Sequence, residues 1–273
     1  MIILVLGLLG LCLGSFINAL VWRVHEQAAR TSKRARAELS ITKGRSMCTH
    51  CHQTLGFGDL IPVFSWLFLR GKCRYCQKPI QDTPFTELLT PVVFAVSYWY
   101  WPFGWARLSV FQFAVWLLVV TGCIALAVYD ARWQLLPNRI VYPLGALVLL
   151  QVVVLTIGHR DWRVATGAAL ATLCLGGLFY ALFQVSDGRW IGGGDVRLGV
   201  VIGLLLASPV QAVLVLFLAS LMGTLVSLPL LITKRPQLTR KVAFGPFLIV
   251  ATAIVYLFGG SLVHYYKTRF LLL

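Results

Sequence analysis

Apolar residues recur along this chain in runs separated by short polar segments. A spanning helix needs about 20 mostly apolar residues, and the runs at 1–22, 84–101, 107–129, 140–157, 164–185, 210–232 and 243–263 qualify. A shorter run at 196–207 follows Gly192, Gly193 and Gly194 and is cut off from the next by Ser208-Pro209. Counted as a short span, it brings the total to eight. The one sizeable polar segment, 23–83, interrupts the series after the first run. The pattern therefore predicts an all-α polytopic membrane protein with about eight transmembrane helices. Its expected organisation is a first helix at 1–22, a small cytosolic domain at 23–83 and a helical core at 84–273. The first run lacks the basic start and small-residue cleavage site of a signal peptide, so it is expected to be retained. Neither a low-complexity tract nor an internal repeat is visible.

Composition agrees with this pattern. Apolar residues make up 59% of the 273 and charged residues 12%, against roughly 25% charged in an ordinary soluble chain. So few charges could not cover a soluble surface, so lipid is the expected solvent for much of the chain. The net charge of +15 could suggest nucleic acid, but the basic residues lie mostly in loops between apolar runs, as topology signals do. With the N-terminus outside, the loops at 23–83, 130–139, 186–195 and 233–242, together with Arg197, place nineteen of the 24 Lys and Arg in the cytosol. Arg107, Arg160, Arg163, Lys267 and Arg269 remain outside. The positive-inside rule thus favours both termini outside, and losing the short sixth span would put the basic loop 233–242 on the wrong face.

The polar segment starts basic, with Arg30, Lys33, Arg34 and Arg36, and has few aliphatic runs. A domain this small usually needs a staple. Cys48 and Cys51, then Cys73 and Cys76, form two CxxC pairs with 21 residues between them. Two such turns can close a tetrahedral S₄ shell, which structural zinc prefers. A reducing cytosol disfavours two disulfides; a redox pair is the main rival. His50 and His52 are expected to be bystanders. Cys12, Cys123 and Cys174 sit singly in apolar runs and read as small buried hydrophobes.

The chain has nine acidic residues, and a carboxylate at membrane depth is expensive enough to be a functional candidate. Asp130 ends the third apolar run, and Asp195 opens the short run after the three glycines. The orientation puts both at the cytosolic edge. Two carboxylates on neighbouring helix ends can share a proton, one acting as base on water while the other polarises a carbonyl. Each has a plainer reading. Asp130 could pair with Arg132 or Arg139 at the interface, and Asp195 could cap a helix or complement its dipole. Glu87 is a weaker candidate, facing either a substrate charge or a local partner such as Lys78 or Arg70. Asp161 and Asp187 read as solvated.

With these residues in hand, the sequence resembles the type IV prepilin peptidases along nearly its whole length. The resemblance rests on six motifs in order. Gly14-Ser15-Phe16-Ile17-Asn18 with Arg23 comes first. Ile61-Pro62-Val63-Phe64-Ser65-Trp66 with Arg70-Gly71-Lys72-Cys73 follows, and then Pro84 with Glu87-Leu88-Leu89-Thr90-Pro91. Asp130 with Leu136-Pro137-Asn138, Gly193-Gly194-Asp195-Val196-Arg197-Leu198 of GxGD type, and Phe244-Gly245-Pro246 complete the series. The chain departs from the pattern at Gln81-Asp82-Thr83, in the segment before Asp195, and in a long basic stretch at 26–46.

The resemblance implies a peptidase of the bacterial inner membrane. It would cut the basic leader from type IV prepilins or type II secretion pseudopilins, after a glycine at the cytosolic face. It implies Asp130 and Asp195 as the catalytic pair. It also implies methylation of the new N-terminus from S-adenosylmethionine, with Gly71 and Lys72 in that role. A transporter or ion-coupled protein, with the two aspartates as ion or proton sites, is the alternative from another class. It would place the carboxylates near midplane.

Overall fold

The computed structural model describes residues 1–29, 39–40, 44–80, 84–232 and 243–270. Arg30, Lys33, Arg34 and Arg36, the Gln81-Asp82-Thr83 segment and the basic loop 233–242 lie outside the described residues. The chain forms two compact units, Met1–Trp99 and Tyr100–Leu273.

In the first unit, helix α1 spans Ile2–Ala29, running past the apolar stretch that ends at Trp22. It continues because its polar residues find partners. Arg23 donates to the carbonyls of Ser40 and Gly44 at 3.1 and 3.0 Å, and Gln27 donates to the Leu39 carbonyl at 2.6 Å. Buried polar groups are tolerated when hydrogen-bonded, so residues that read as the start of a loop belong to the helix. A 3-10 turn at Phe57–Leu60, a short α2 at Phe64–Phe68 and helix α3 at Phe85–Trp99 complete the unit.

Helices α1 and α3 pack closely, and Gly14 shows how closely. A Cβ there would stand 2.6 Å from the Glu87 Cα and the Thr86 carbonyl oxygen. Four residues on, Asn18 accepts a hydrogen bond from the Thr86 hydroxyl at 2.8 Å, with both side chains buried. A small residue for approach and a polar one for a bond is how helices associate in lipid. That gives the Gly14–Asn18 motif a structural reason.

An internal repeat emerges between α1 and α3, where the sequence showed none. Residues 46–55 and 71–80 share one backbone pattern. The N–H of Cys48 bonds the Gln53 carbonyl, His52 bonds back to Cys48, and Leu55 to Ser46. The N–H of Cys73 bonds Lys78, Gln77 bonds back to Cys73, and Ile80 to Gly71, all at 2.8–3.0 Å. His52 and Gln77 take matching φ values of 56 and 57°. The repeat is one of backbone shape around the cysteines; few side chains beyond them agree, so it leaves little trace in the sequence.

The second unit holds α4 (Arg107–Trp133), α5 (Asn138–His159), α6 (Arg163–Val185), α7 (Gly193–Leu206), α8 (Pro209–Ile232) and α9 (Gly245–Phe270). A π turn at Leu173–Gly177 interrupts α6. Among the described residues, eight principal helices stand at the eight apolar runs. Among the described residues, six are long and apolar enough to cross a membrane; α3 and α7 fall short at 15 and 14 residues. The chain is a multi-pass membrane protein. Helix α7 packs against α5, α6, α8 and α9, which explains why so short a helix is apolar nearly all round. Against α6 the fit is tight: a Cβ on Gly203 would lie 2.5 Å from the Thr172 Cα.

Polar side chains also meet inside this unit. The Gln112 amide donates to the Tyr256 hydroxyl at 3.0 Å, and the Tyr256 ring stacks on Trp116 with centroids 4.3 Å apart. Tyr256→Phe would leave the Gln112 amide without its acceptor. The expected cost is about 1 kcal/mol, read as a lower thermal midpoint of the detergent-solubilised protein.

Candidate active site and cysteine cluster

Asp130 lies in the last turn of α4, which ends where Gln134 turns left-handed at φ 55° and its N–H bonds the Asp130 carbonyl at 2.8 Å. Leu136 and Pro137 then lead directly into α5. Asp195 lies in the first turn of α7, after Gly192. Both line one cavity of about 320 Å³ with Gln134, Leu136, the three glycines and Arg197. Asp130 is only 6% exposed. One of its oxygens accepts a hydrogen bond from the Gly245 backbone N–H at 3.1 Å, brought by the start of α9. A Cβ on Gly245 would stand 2.5 Å from that oxygen, so only glycine lets the α9 backbone reach the carboxylate. Asn138, the first residue of α5, accepts a hydrogen bond from Arg197. Two motifs far apart in sequence, around Asp130 and Asp195, therefore line one space, and a third, at Gly245, holds Asp130 by its backbone N–H.

The sequence identified both aspartates but not these supports. Gly245 and Asn138 sat inside recognised motifs, with nothing to say that they hold Asp130 and Arg197. The glycines do keep the cavity wall low, because no side chains rise from 192 to 194.

In the first unit, Cys48, Cys51, Cys73 and Cys76 come together, their sulfurs all within 4.8 Å of one another. The Cys48 and Cys76 sulfurs are 3.9 Å apart. A tetrahedral zinc with Zn–S of about 2.3 Å needs sulfur–sulfur edges of about 3.8 Å, so the donor set fits such an ion. The His50 backbone N–H points at the Cys48 sulfur, 3.4 Å away. Burial pushes the Cys48 thiol up, but the N–H groups of Cys51 and His50 and the neighbouring thiols outweigh it, leaving it lowered to about 7. Neither His50 nor His52 belongs to the group of potential ligands.

Gly71 and Lys72 form part of the second cysteine turn, where Lys72 bridges to Pro79. Gly71 has φ +69°, and a Cβ there would meet the Trp66 ring at 3.1 Å. Glu87 accepts the Val63 backbone N–H at 2.6 Å. It makes that bond rather than the expected pair with Lys78 or Arg70. Arg74 instead pairs with Asp59 at 2.8 Å, an interaction the sequence did not suggest.

Comparison with known proteins agrees with this architecture. A family model described as the Bacterial Peptidase A24 N-terminal domain matches residues 8–101, and one described as the Type IV leader peptidase family matches residues 116–228. A prepilin leader peptidase/N-methyltransferase of Dickeya chrysanthemi is 33% identical over 265 residues, covering 92% of this chain and 91% of the relative. One from Aeromonas hydrophila is 33% identical over 232 residues, covering 83% and 76%. One from Bacillus subtilis (strain 168) is 31% identical over 263 residues, covering 96% of each. No solved structure matches the chain. The chain is thus a membrane-embedded protease. It belongs to the type IV leader peptidase family, as its ordered motifs implied.

Proposed function

We propose that this protein removes the basic leader peptide from type IV prepilins or type II secretion pseudopilins, with Asp130 and Asp195 as the catalytic pair. The observation that carries the reading is that two acidic residues, 65 positions apart in sequence, line a single cavity. In such a pair one carboxylate is ionised and takes a proton from water as the water attacks the scissile carbonyl. The other, protonated, donates to the carbonyl oxygen as negative charge builds there. The proton taken from water is then available for the departing amine. The side-chain-free stretch at 192–194 suits an extended substrate backbone, which must come close to Asp195 to be cut. The substrate's apolar segment would pack in the bilayer against the helices.

The reading includes cleavage after a glycine at the cytosolic face of a bacterial inner membrane. It also includes eight spans, with α3 and α7 short, and both termini periplasmic. Zinc held by Cys48, Cys51, Cys73 and Cys76 would be structural, because four protein ligands leave no open position. S-Adenosylmethionine would supply a methyl group for the newly exposed amine. Gly71 serves that step by seating Trp66 rather than by touching the donor, and Lys72 by closing the same turn. Both aspartates sit at helix ends, which suits a peptidase at the membrane edge better than a midplane ion site in a transporter.

Incubation of the purified full-length protein with a full-length prepilin tests this directly. The expected product starts at the residue after a glycine at the end of the basic leader, by N-terminal sequencing. An intact prepilin, or a cut inside the mature segment, would refute the reading. Gly245→Ala pushes a methyl group against Asp130. A displacement of about 1 Å can cost about 100-fold in rate, and a fall of that order in leader cleavage is expected.

A further inference from the structure

The first unit contains a second cavity, of about 160 Å³, lined by residues of α1, the cysteine segment and the start of α3. Its chemistry is set by Asn18, Trp22, Asp59, Ser65, Trp66 and Glu87. Val63, just before α2, has φ 63° and ψ −51°. The Phe64 N–H bonds the Pro62 carbonyl across it at 2.6 Å, the hydrogen bond of a γ-turn with a positive central φ. That turn is rare and strained, and a β-branched residue there is an outlier. Strain of this kind persists where the surroundings hold it, and it gathers at functional sites. Here the holder is Glu87, through the Val63 N–H. The turn launches α2, and α2 carries Ser65 and Trp66 to the cavity wall.

Two charged groups of the cavity, Asp59 and Arg23, are already engaged. One Asp59 oxygen accepts the Gly56 N–H at 3.1 Å, and the other pairs with Arg74. Arg23 is tied to the Ser40 and Gly44 carbonyls. Glu87 and Trp66 have capacity left. Glu87 uses one oxygen on Val63, and no hydrogen bond engages the other among the described residues. The Trp66 indole N–H is buried and has no acceptor. A carboxylate oxygen, an unsatisfied indole donor and two tryptophan rings suit a cationic group that also carries an acceptor, because aromatic faces attract cations.

We propose that this cavity is the methyl-transfer site. Glu87 takes the proton of the substrate's new N-terminal amine, and Trp66, seated by Gly71, binds a sulfonium methyl donor. The inference rests on the reading above that the chain methylates its product. At neutral pH an N-terminal amine is largely protonated and has no lone pair to give, so the site needs a base beside it. In the transfer, the nitrogen lone pair forms the N–C bond and the S–C bond breaks with its electrons left on sulfur. The amine proton passes to the available Glu87 oxygen. Arg23 and Asp59 are the other charged groups lining the cavity, and both already have partners.

The test uses the full-length protein with Glu87→Gln and Trp66→Phe as separate variants. Glutamine keeps an oxygen for the Val63 N–H, and leader cleavage by the same preparations shows that they are folded. Calorimetry with S-adenosylhomocysteine should give Glu87→Gln a donor-site affinity within about 2-fold of the unmodified protein. Its methylation rate at neutral pH, by mass spectrometry of the processed pilin, should fall about 10-fold. That deficit should narrow as rising pH deprotonates the amine without help. Trp66→Phe should bind S-adenosylmethionine about 10-fold more weakly. Wild-type methylation by Glu87→Gln, a deficit unmoved by pH, or unchanged binding by Trp66→Phe would each overturn the assignment while leaving methylation itself standing. If the unmodified protein cleaves but neither binds the donor nor methylates, the parent reading falls as well.

Discussion

Asparagine in place of either Asp130 or Asp195 should lower leader cleavage by at least about 1,000-fold, within the range general acid–base groups contribute. The substitution keeps size and shape. Asparagine at 130 still offers an oxygen to the Gly245 N–H, so the α4–α9 contact survives. What is lost is the ability to accept or hold a proton. In the proposed pair the two carboxylates act as a unit, so the double variant should be about as slow as the worse single one. Single-turnover cleavage of a prepilin in liposomes measures this. A single variant that retained a tenth of the rate would exclude the pair as the catalytic centre. The alternative, an ion-coupled protein, predicts intact cleavage and altered flux instead.

Removing the proposed zinc should have the second large effect. The cysteine segment has few buried apolar side chains, and Cys48 and Cys73 are themselves among them. Among the described residues of 44–80, no other buried apolar side chain holds the two turns face to face. A structural zinc with such ligands supplies on the order of 10–16 kcal/mol to folding. Replacing Cys48 and Cys73 together by serine should take the metal content from about one ion per chain to none. The 44–80 segment should become sensitive to protease, while α4–α9 stays protected. Methylation should be lost with it, because Gly71 and Trp66 belong to the same segment. Zinc-free, freshly reduced protein that resisted protease over 44–80 would rule out a metal staple.

Much of this molecule is written in local patterns. Every apolar run became a helix, since a helix of that composition satisfies its own backbone in lipid and needs no distant partner. The CxxC spacing announced four ligands because a tight turn brings thiols two residues apart to one point. Asp130 and Asp195 stood out because carboxylates are costly where they lie. These features depend on neighbours within a few residues, so a linear reading reaches them.

Other features depend on residues brought from afar. Arg23 and Gln27 looked like the start of a loop, and carbonyls 12 to 21 positions away kept them in α1. The cysteine repeat lies in backbone hydrogen bonds, which side-chain identities barely constrain. Gly245 was a motif letter until α9 brought its N–H to Asp130 across 115 residues. Glu87 read as a partner for a nearby cation, yet it holds the strained turn at Val63. By itself, then, the sequence determined which long apolar runs are helical, which cysteines could bind metal and which two acids are the candidates. Only the tertiary structure decided that those acids share a cavity, what holds them there, and that a second cavity lies beside Trp66 and Glu87. Burial and close approach are properties of pairs, and no pattern along one chain specifies the partner.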